Sequence, residues 1–306
     1  MADDLIDIEA LLAPLAAGEG GAGENPRDDY SPNSVYQELS DARKKGRDEE
    51  RAQDASDEEP VVPAAWRDVR RLAIQSLAEK GKSFVVAAWL CEAMVRLEGL
   101  AGLTATARLI EQLADRYWEN GFPLPDEEGL EDRAAALGGL AGEGADGMIM
   151  QPIRRVPLFR RGDGKLVGLH LWLAAEDTAS LGDEKRKQAR LDAGVPAFDA
   201  LEREARADSR TLRAVALEAR EANRAWAAMD AKLSERFGAL APSTRRVTEA
   251  LERIVGIGQS LLGSLGDEGE PGAGAEESAA PAGSATEGGA PAGGAGPGER
   301  KAVRTR

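Results

Sequence analysis

Two heptad seams constrain this chain more than any other feature of its sequence. Leu212, Val215, Ala219, Ala222, Trp226, Met229 and Leu233 recur at steps of 3, 4, 3, 4, 3 and 4. After a turn over 238–242, Val247, Leu251, Ile254, Gly258, Leu261 and Leu265 recur at steps of 4, 3, 4, 3 and 4. A strand alternates its side chains at every residue, so a sustained period of about 3.5 excludes strands and predicts two helices packed along their seams. The short connection makes them an antiparallel hairpin, with Ser243 or Thr244 capping the second helix. Ala219, Ala222 and Gly258 let the two backbones approach closely, and Trp226 fills the centre of the hairpin. Alanine, the best helix former, supplies 55 of 306 residues, while aromatics make only 4%. The fold class that follows is all-α with small-residue packing.

The rest of the chain is read by the same spacing rules. Leu5, Ile8, Leu11, Leu12 and Leu15 predict a helix within 4–16, ended by Pro14. Residues 17–33 read as a loop, and Ser34 with Gln37 as a capping box opening a charged helix to about Arg51. An acidic linker covers 52–63. Three helices follow, over 64–79, 83–98 and 103–120, with breaks at Gly99 and Gly102. Each buries one stripe against the others, which predicts a bundle. A short helix at 127–138 leads into a glycine-rich stretch. Asp163-Gly164 between apolar runs predicts a small β-hairpin within 153–173. Helix resumes after Pro196. Of the 30 residues 269–298, 23 are Gly, Ala or Pro, too few apolar side chains to offset ordering entropy, so the tail is expected to be disordered. These features divide the chain into 1–175, a helical extension over 176–265 and a tail over 266–306.

Charge and residue counts narrow the function. The net charge is −15, which repels nucleic acid as a partner. With one cysteine, Cys91, no internal disulfide forms, and with one histidine, His170, no Cys/His zinc cluster assembles. No apolar run approaches the roughly 18 residues of a membrane span, and the acidic residues 1–7 lack a signal peptide's basic region. A cytoplasmic protein with no cofactor and no membrane insertion is expected.

Motif-like strings do not change this. Gly18 to Gly23 spells G-x-G-x-x-G without the flanking strand and helix that dinucleotide binding needs. Gly81-Lys82-Ser83 resembles the end of a phosphate loop, but Ser76 stands where its first glycine belongs, and Ser83 reads better as a helix cap. His170 reads as a structural histidine in an alternating apolar run. The carboxylates Asp126, Glu127, Glu128, Glu131 and Asp132 read as a solvated first turn. The arginines at 67, 70, 71, 154, 155, 160 and 161 read as internal ion-pair partners. Trp66, Trp89 and Trp118 read as core residues, with interface anchoring as the rival role.

One ordered series of short pieces resembles a known family. It runs Leu11-Leu12-Ala13-Pro14-Leu15, a glycine-rich acidic stretch and a charged helix, then Trp66-x-x-Val69, Lys82-Ser83-Phe84 and Ala87-Ala88-Trp89-Leu90-x-x-Ala93. Gly99-Leu100-Ala101-Gly102-Leu103, Tyr117-Trp118, Arg133, Leu137 and Val156-Pro157-Leu158 follow. Over roughly 5–175 this resembles the ImpA N-terminal domain of the TssA proteins of bacterial type VI secretion systems. The resemblance implies a non-enzymatic assembly protein acting at the baseplate and in polymerisation of the contractile sheath around its tube. The implied partners are baseplate, tube, sheath and membrane-complex proteins, with recruitment to the inner-membrane-associated baseplate. Trp66, Trp89, Trp118 and Leu158 carry the pattern, and Trp226 is the packing candidate beyond it. Full-length members build rings through a further C-terminal domain, where this chain enters its tail; a monomer or small oligomer is therefore expected. Two rivals stand beside this reading: a helical scaffold of an unrelated assembly, and an enzyme using His170 or the 126–132 carboxylates.

Overall fold

Both heptad seams are helical in the computed structural model, which describes residues 5–54 and 61–266. The chain enters through α1 (Ile8–Leu11), where Asp7 accepts a hydrogen bond from the Ala10 amide at 2.9 Å. The helix expected over 4–16 shrinks to this one turn. Pro14 disfavours its continuation, and the Leu15 amide instead donates to the Gly21 carbonyl at 2.8 Å. The glycine-rich segment folds into two short 3-10 turns, Glu19–Gly21 and Pro26–Asp28. Ser34 then accepts from the Gln37 amide and opens α2 (Val35–Asp54).

The bundle proper is α3 (Ala65–Glu79), α4 (Phe84–Arg116) and α5 (Glu127–Ala141). Within α4 only Gly99 breaks the helical conformation, at φ 59 and ψ −134. Gly102, expected to break the chain too, is helical. Its role is proximity: a Cβ there would come within 2.2 Å of the Met94 carbonyl oxygen.

α6 (Met150–Arg155) precedes a two-stranded antiparallel hairpin, β1 (Pro157–Arg160) and β2 (Leu166–Gly168), with Phe159 opposite Val167 and Arg160 opposite Leu166. The hairpin is shorter than the sequence suggested. The chain turns at once into α7 (Leu169–Ala179), so His170 and Trp172 are helical and not on a strand. The buried residues Leu169, Trp172, Ala175 and Thr178 recur every three residues, a helical face that the apolar run disguised. α8 (Glu184–Asp192) and α9 (Phe198–Ala207) follow. Neither α6 nor α8 was legible in the sequence.

α10 (Ser209–Phe237) and α11 (Arg245–Leu262) form the antiparallel hairpin. Its sense is fixed by two contacts: Trp226 Nε1 donates to the Thr244 carbonyl at 3.3 Å, and a Cβ on Gly258 would meet the Ala216 Cβ at 2.6 Å. All seven α10 seam residues are buried. Thr244 does not cap α11 with its hydroxyl, which is spent on Asp230 at 2.7 Å and so ties the turn to α10. α10 also packs along α4 in the same chain direction. Arg108 pairs with Glu221, Asp115 with Lys232 at 3.2 Å, and Trp118 meets Phe237 edge-on at 4.8 Å. One continuous core therefore runs from α3 through α4 and α10 to α11. The expectations for the linker centre and the tail lie outside the described residues.

Candidate functional site

The motif residues converge on three buried charges, each met by groups from distant parts of the chain. The first is Lys82, fully buried between α3 and α4. Its Nζ donates to the carbonyls of Leu11 at 2.7 Å and Leu77 at 2.9 Å, and lies 5.9 Å from the Tyr117 ring centroid. Burial pushes its pKa down to about 8, because the charged amine loses hydration that two carbonyls only partly replace. Tyr117 donates from its hydroxyl to the Leu12 carbonyl at 2.8 Å. Around them the backbone is knotted: Lys82 donates to Ala22, Phe122 to Lys82 and Phe84 to Phe122. Gly23 bridges to Gly81, and a Cβ at Gly81 would come within 2.0 Å of the Glu24 carbonyl oxygen. Gly81-Lys82-Ser83 thus fastens the N-terminal segment to the bundle, and Ser83 caps α4 by accepting from Val86.

The second charge is Arg133 of α5. Its guanidinium donates to the carbonyls of Pro123 at 2.6 Å, Trp118 at 2.8 Å and Gly121 at 2.6 Å. It also stacks 4.3 Å from the Phe84 centroid and 4.8 Å from that of Trp118. Burial lowers its pKa to about 10. A planar fork of donors suits three converging carbonyls in a way that a lysine could not. Trp118 is therefore held from both sides, by Arg133 and by the edges of Phe84 and Phe237.

The third is Glu92, 1% exposed on α4. It accepts from Arg43 at 2.6 Å and from Arg47 at 2.8 and 3.0 Å, both on α2. Arg96 lies one turn along and donates to Glu50 at 2.7 Å, with its guanidinium 4.2 Å over the Trp66 ring. Glu50 also accepts from Trp66 Nε1 at 2.9 Å. Half-buried Trp89 stacks on Tyr36 at 5.3 Å and under Arg43 at 4.9 Å. Desolvation is the main influence on Arg43 and lowers its pKa. Three guanidinia facing two carboxylates fasten a polar helix to an apolar bundle.

Of the residues singled out in the sequence, Trp66, Leu158 and Trp226 are fully buried and Trp118 nearly so. Leu158 sits in β1, apart from the three locks. Sequence reading missed Glu92, Arg43, Arg47 and Arg96. The signal was present on α2, where Leu39, Arg43, Arg47 and Glu50 recur at helical spacing. The arginine clusters mostly pair internally: Arg70 with Glu98 at 2.9 Å, Arg161 with Glu204 at 2.7 Å, and Arg154 with Asp146. Asp126 caps α5, accepting from Gly129 at 2.8 Å, and Asp132 meets Arg27 at 2.7 Å.

Few groups are arranged for chemistry. His170 is exposed, with Nδ1 3.0 Å from the Arg154 carbonyl. Cys91 is buried, and desolvation pushes its thiol up to about 12. Among the described residues no three His, Cys, Asp or Glu side chains gather as metal ligands, and no helix is long and apolar enough to cross a membrane. A surface depression of about 560 Å³ lies between the hairpin turn and the start of α10. Its polar groups satisfy one another, Arg161 with Glu204 and the Arg160 amide with Asp208 at 2.9 Å.

Comparison with known proteins locates this architecture. Residues 12–142 match the family described as ImpA, N-terminal, type VI secretion system. The type VI secretion system component TssA1 of Pseudomonas aeruginosa is 30% identical over 156 residues, which are 51% of this chain and 42% of that protein. The chain thus matches less than half the length of that relative. A solved structure of the N-terminal domain of the TssA component from Burkholderia cenocepacia, including its conserved ImpA N-terminal region, superposes with a TM-score of 0.65. It is 24% identical, with 83% of this chain and 93% of that one covered, and so shares the fold.

Proposed function

We propose that this chain, which belongs to the TssA family of type VI secretion through the ImpA N-terminal region at residues 12–142, is a non-enzymatic adaptor in assembly of the secretion machine. On this reading it acts at the baseplate and in growth of the contractile sheath around the tube. Its partners are baseplate, tube, sheath and membrane-complex proteins. It works in the cytoplasm and is recruited to the baseplate at the inner membrane. The single observation that carries the reading is the family match over 12–142, the same stretch that contains all three buried charges.

The internal chemistry supports it. Lys82, Glu92 and Arg133, the groups with most catalytic potential, are consumed in fastening helices to one another. A protein that holds several partners in register needs rigid faces more than a reactive cleft, and buried satisfied polar networks confer such rigidity.

The test is direct binding by the purified chain. Immobilised baseplate, tube and sheath proteins of the same secretion system are expected to retain it with no nucleotide or metal added. Failure to bind any of them, with the chain folded by circular dichroism, overturns the adaptor reading.

A further inference from the structure

α8 is a helix that contributes nothing to the core. None of its nine residues is buried, and it is held by the Asp183 cap and by packing beside α7. Packing therefore does not explain its residues, yet they are far from neutral in type. Lys185, Arg186, Lys187 and Arg190 fall within one and a half turns, and none forms an ion pair with another described residue. Elsewhere on this acidic protein exposed arginines are mostly paired, as Arg246 is with Asp146 at 2.9 Å. The acidic residues of the segment stand at its ends: Asp183 accepts from the Lys185 and Arg186 amides, Glu184 occupies the first turn, and Asp192 accepts from Gln188.

Below this cationic helix lies a groove of about 260 Å³ between α7, α8 and α9. Its walls are largely apolar: Ala175 and Ala179 of α7, Leu191 of α8, then Pro196 and Phe198. Lys187 forms part of one rim and Asp199 part of the other. Phe198 is braced from behind by the edge of buried Trp172, with centroids 5.1 Å apart, so the wall is preorganised.

We infer that α8 and this groove dock an acidic amphipathic segment of a partner protein. The segment's apolar side chains fill the groove, and its carboxylates meet Lys185, Arg186, Lys187 and Arg190. Charge complementarity selects the acid, and the apolar floor selects a side-chain-bearing polypeptide over nucleic acid. A membrane surface fits less well: an interfacial helix needs an exposed apolar face, and no large exposed hydrophobic residue lies on α8. The inference does not depend on which assembly the protein serves.

The probe is a fluorescein-labelled synthetic peptide with leucines at i and i+4 flanked by glutamates, followed by fluorescence anisotropy. Binding is expected at low salt and weakens as salt rises. It falls by at least about tenfold in the variant Lys185→Gln, Arg186→Gln, Lys187→Gln, Arg190→Gln, and likewise in Leu191→Ser. The quadruple variant retains the wild-type melting temperature, because α8 buries nothing. Replacing the peptide's glutamates by glutamine, or its leucines by serine, weakens binding to the same degree. The inference is overturned if the peptide does not bind, if the variants bind it as tightly as the wild type, or if duplex DNA or phosphatidylserine vesicles bind more tightly than the peptide.

Discussion

Gly46 of α2 lies against the indole of Trp66, so close that a Cβ at position 46 would come within 2.9 Å of the ring. The polar helix α2 is seated on the bundle by this missing side chain, while Glu50, one turn further on, takes the Trp66 indole proton at 2.9 Å. Leu39 and Gly46 are the only α2 residues with described side chains that are fully buried, so the seat and the ion pairs must hold the helix.

Gly46→Ala tests the seat. In an exposed helix the change stabilises by about 1 kcal/mol through propensity. Here the methyl group meets an immobile ring, and a net loss of about 1–3 kcal/mol is expected from overpacking. Chemical denaturation measures it; an unchanged or raised stability contradicts the close approach.

Glu92→Ala tests the ionic lock. Removing the carboxylate leaves Arg43 and Arg47 largely buried without their partner, which costs about 3–5 kcal/mol. The exposed pair Arg245–Glu249 is the internal control, and Glu249→Ala is expected to cost less than about 0.5 kcal/mol. Equal losses at the two sites would show that burial does not distinguish them.

Lys82 gives the fold a pH dependence at the alkaline end. Its folded pKa of about 8 lies below the ordinary 10.5, so between these values the unfolded chain holds a proton that the folded chain has released. Stability therefore rises with pH through that window, by at most about 3 kcal/mol, and the burial penalty is fully present below pH 8. Denaturation midpoints of wild type and Lys82→Met, followed from pH 7 to 10.5, are expected to diverge in favour of wild type. Parallel curves contradict a buried, deprotonating Lys82.

Trp226→Ala removes the largest side chain of the α10–α11 seam and the indole hydrogen bond to Thr244. A loss of about 3–5 kcal/mol in unfolding free energy is expected. An unaltered melting curve would mean that Trp226 is exposed and free for a partner.

How much of this was legible follows from where each residue's partners lie in the chain. The α10–α11 seams were readable because their apolar positions recur at a heptad period along each helix, a signal local to the sequence. Trp66 and Trp118 were readable as packing residues because a large apolar ring within a helical block is most often buried, whichever helices cover it. The end of the hairpin was misplaced because Leu169, Leu171 and Trp172, interleaved with His170, fit the alternation of a strand, and only the burial of Ala175 and Thr178 beyond them resolves the period. α8 left no signal, since a helix that buries nothing has no apolar stripe. The locks were illegible because their partners are remote. Lys82 meets a carbonyl 71 positions away, and Arg43 meets Glu92 at a separation of 49. Gly81-Lys82-Ser83 could be excluded as a phosphate loop from the sequence, but its role as a fastening required the backbone of residues 11–24.

The central claim, that the chain is an adaptor in assembly of a type VI secretion machine, is tested most directly by imaging fluorescently tagged sheath in living cells. In a strain lacking this gene and any paralogue, extended sheaths are expected to disappear or fall sharply in number. They should return when the gene is restored. Sheaths that assemble and contract at wild-type frequency in the deletion strain would contradict the claim.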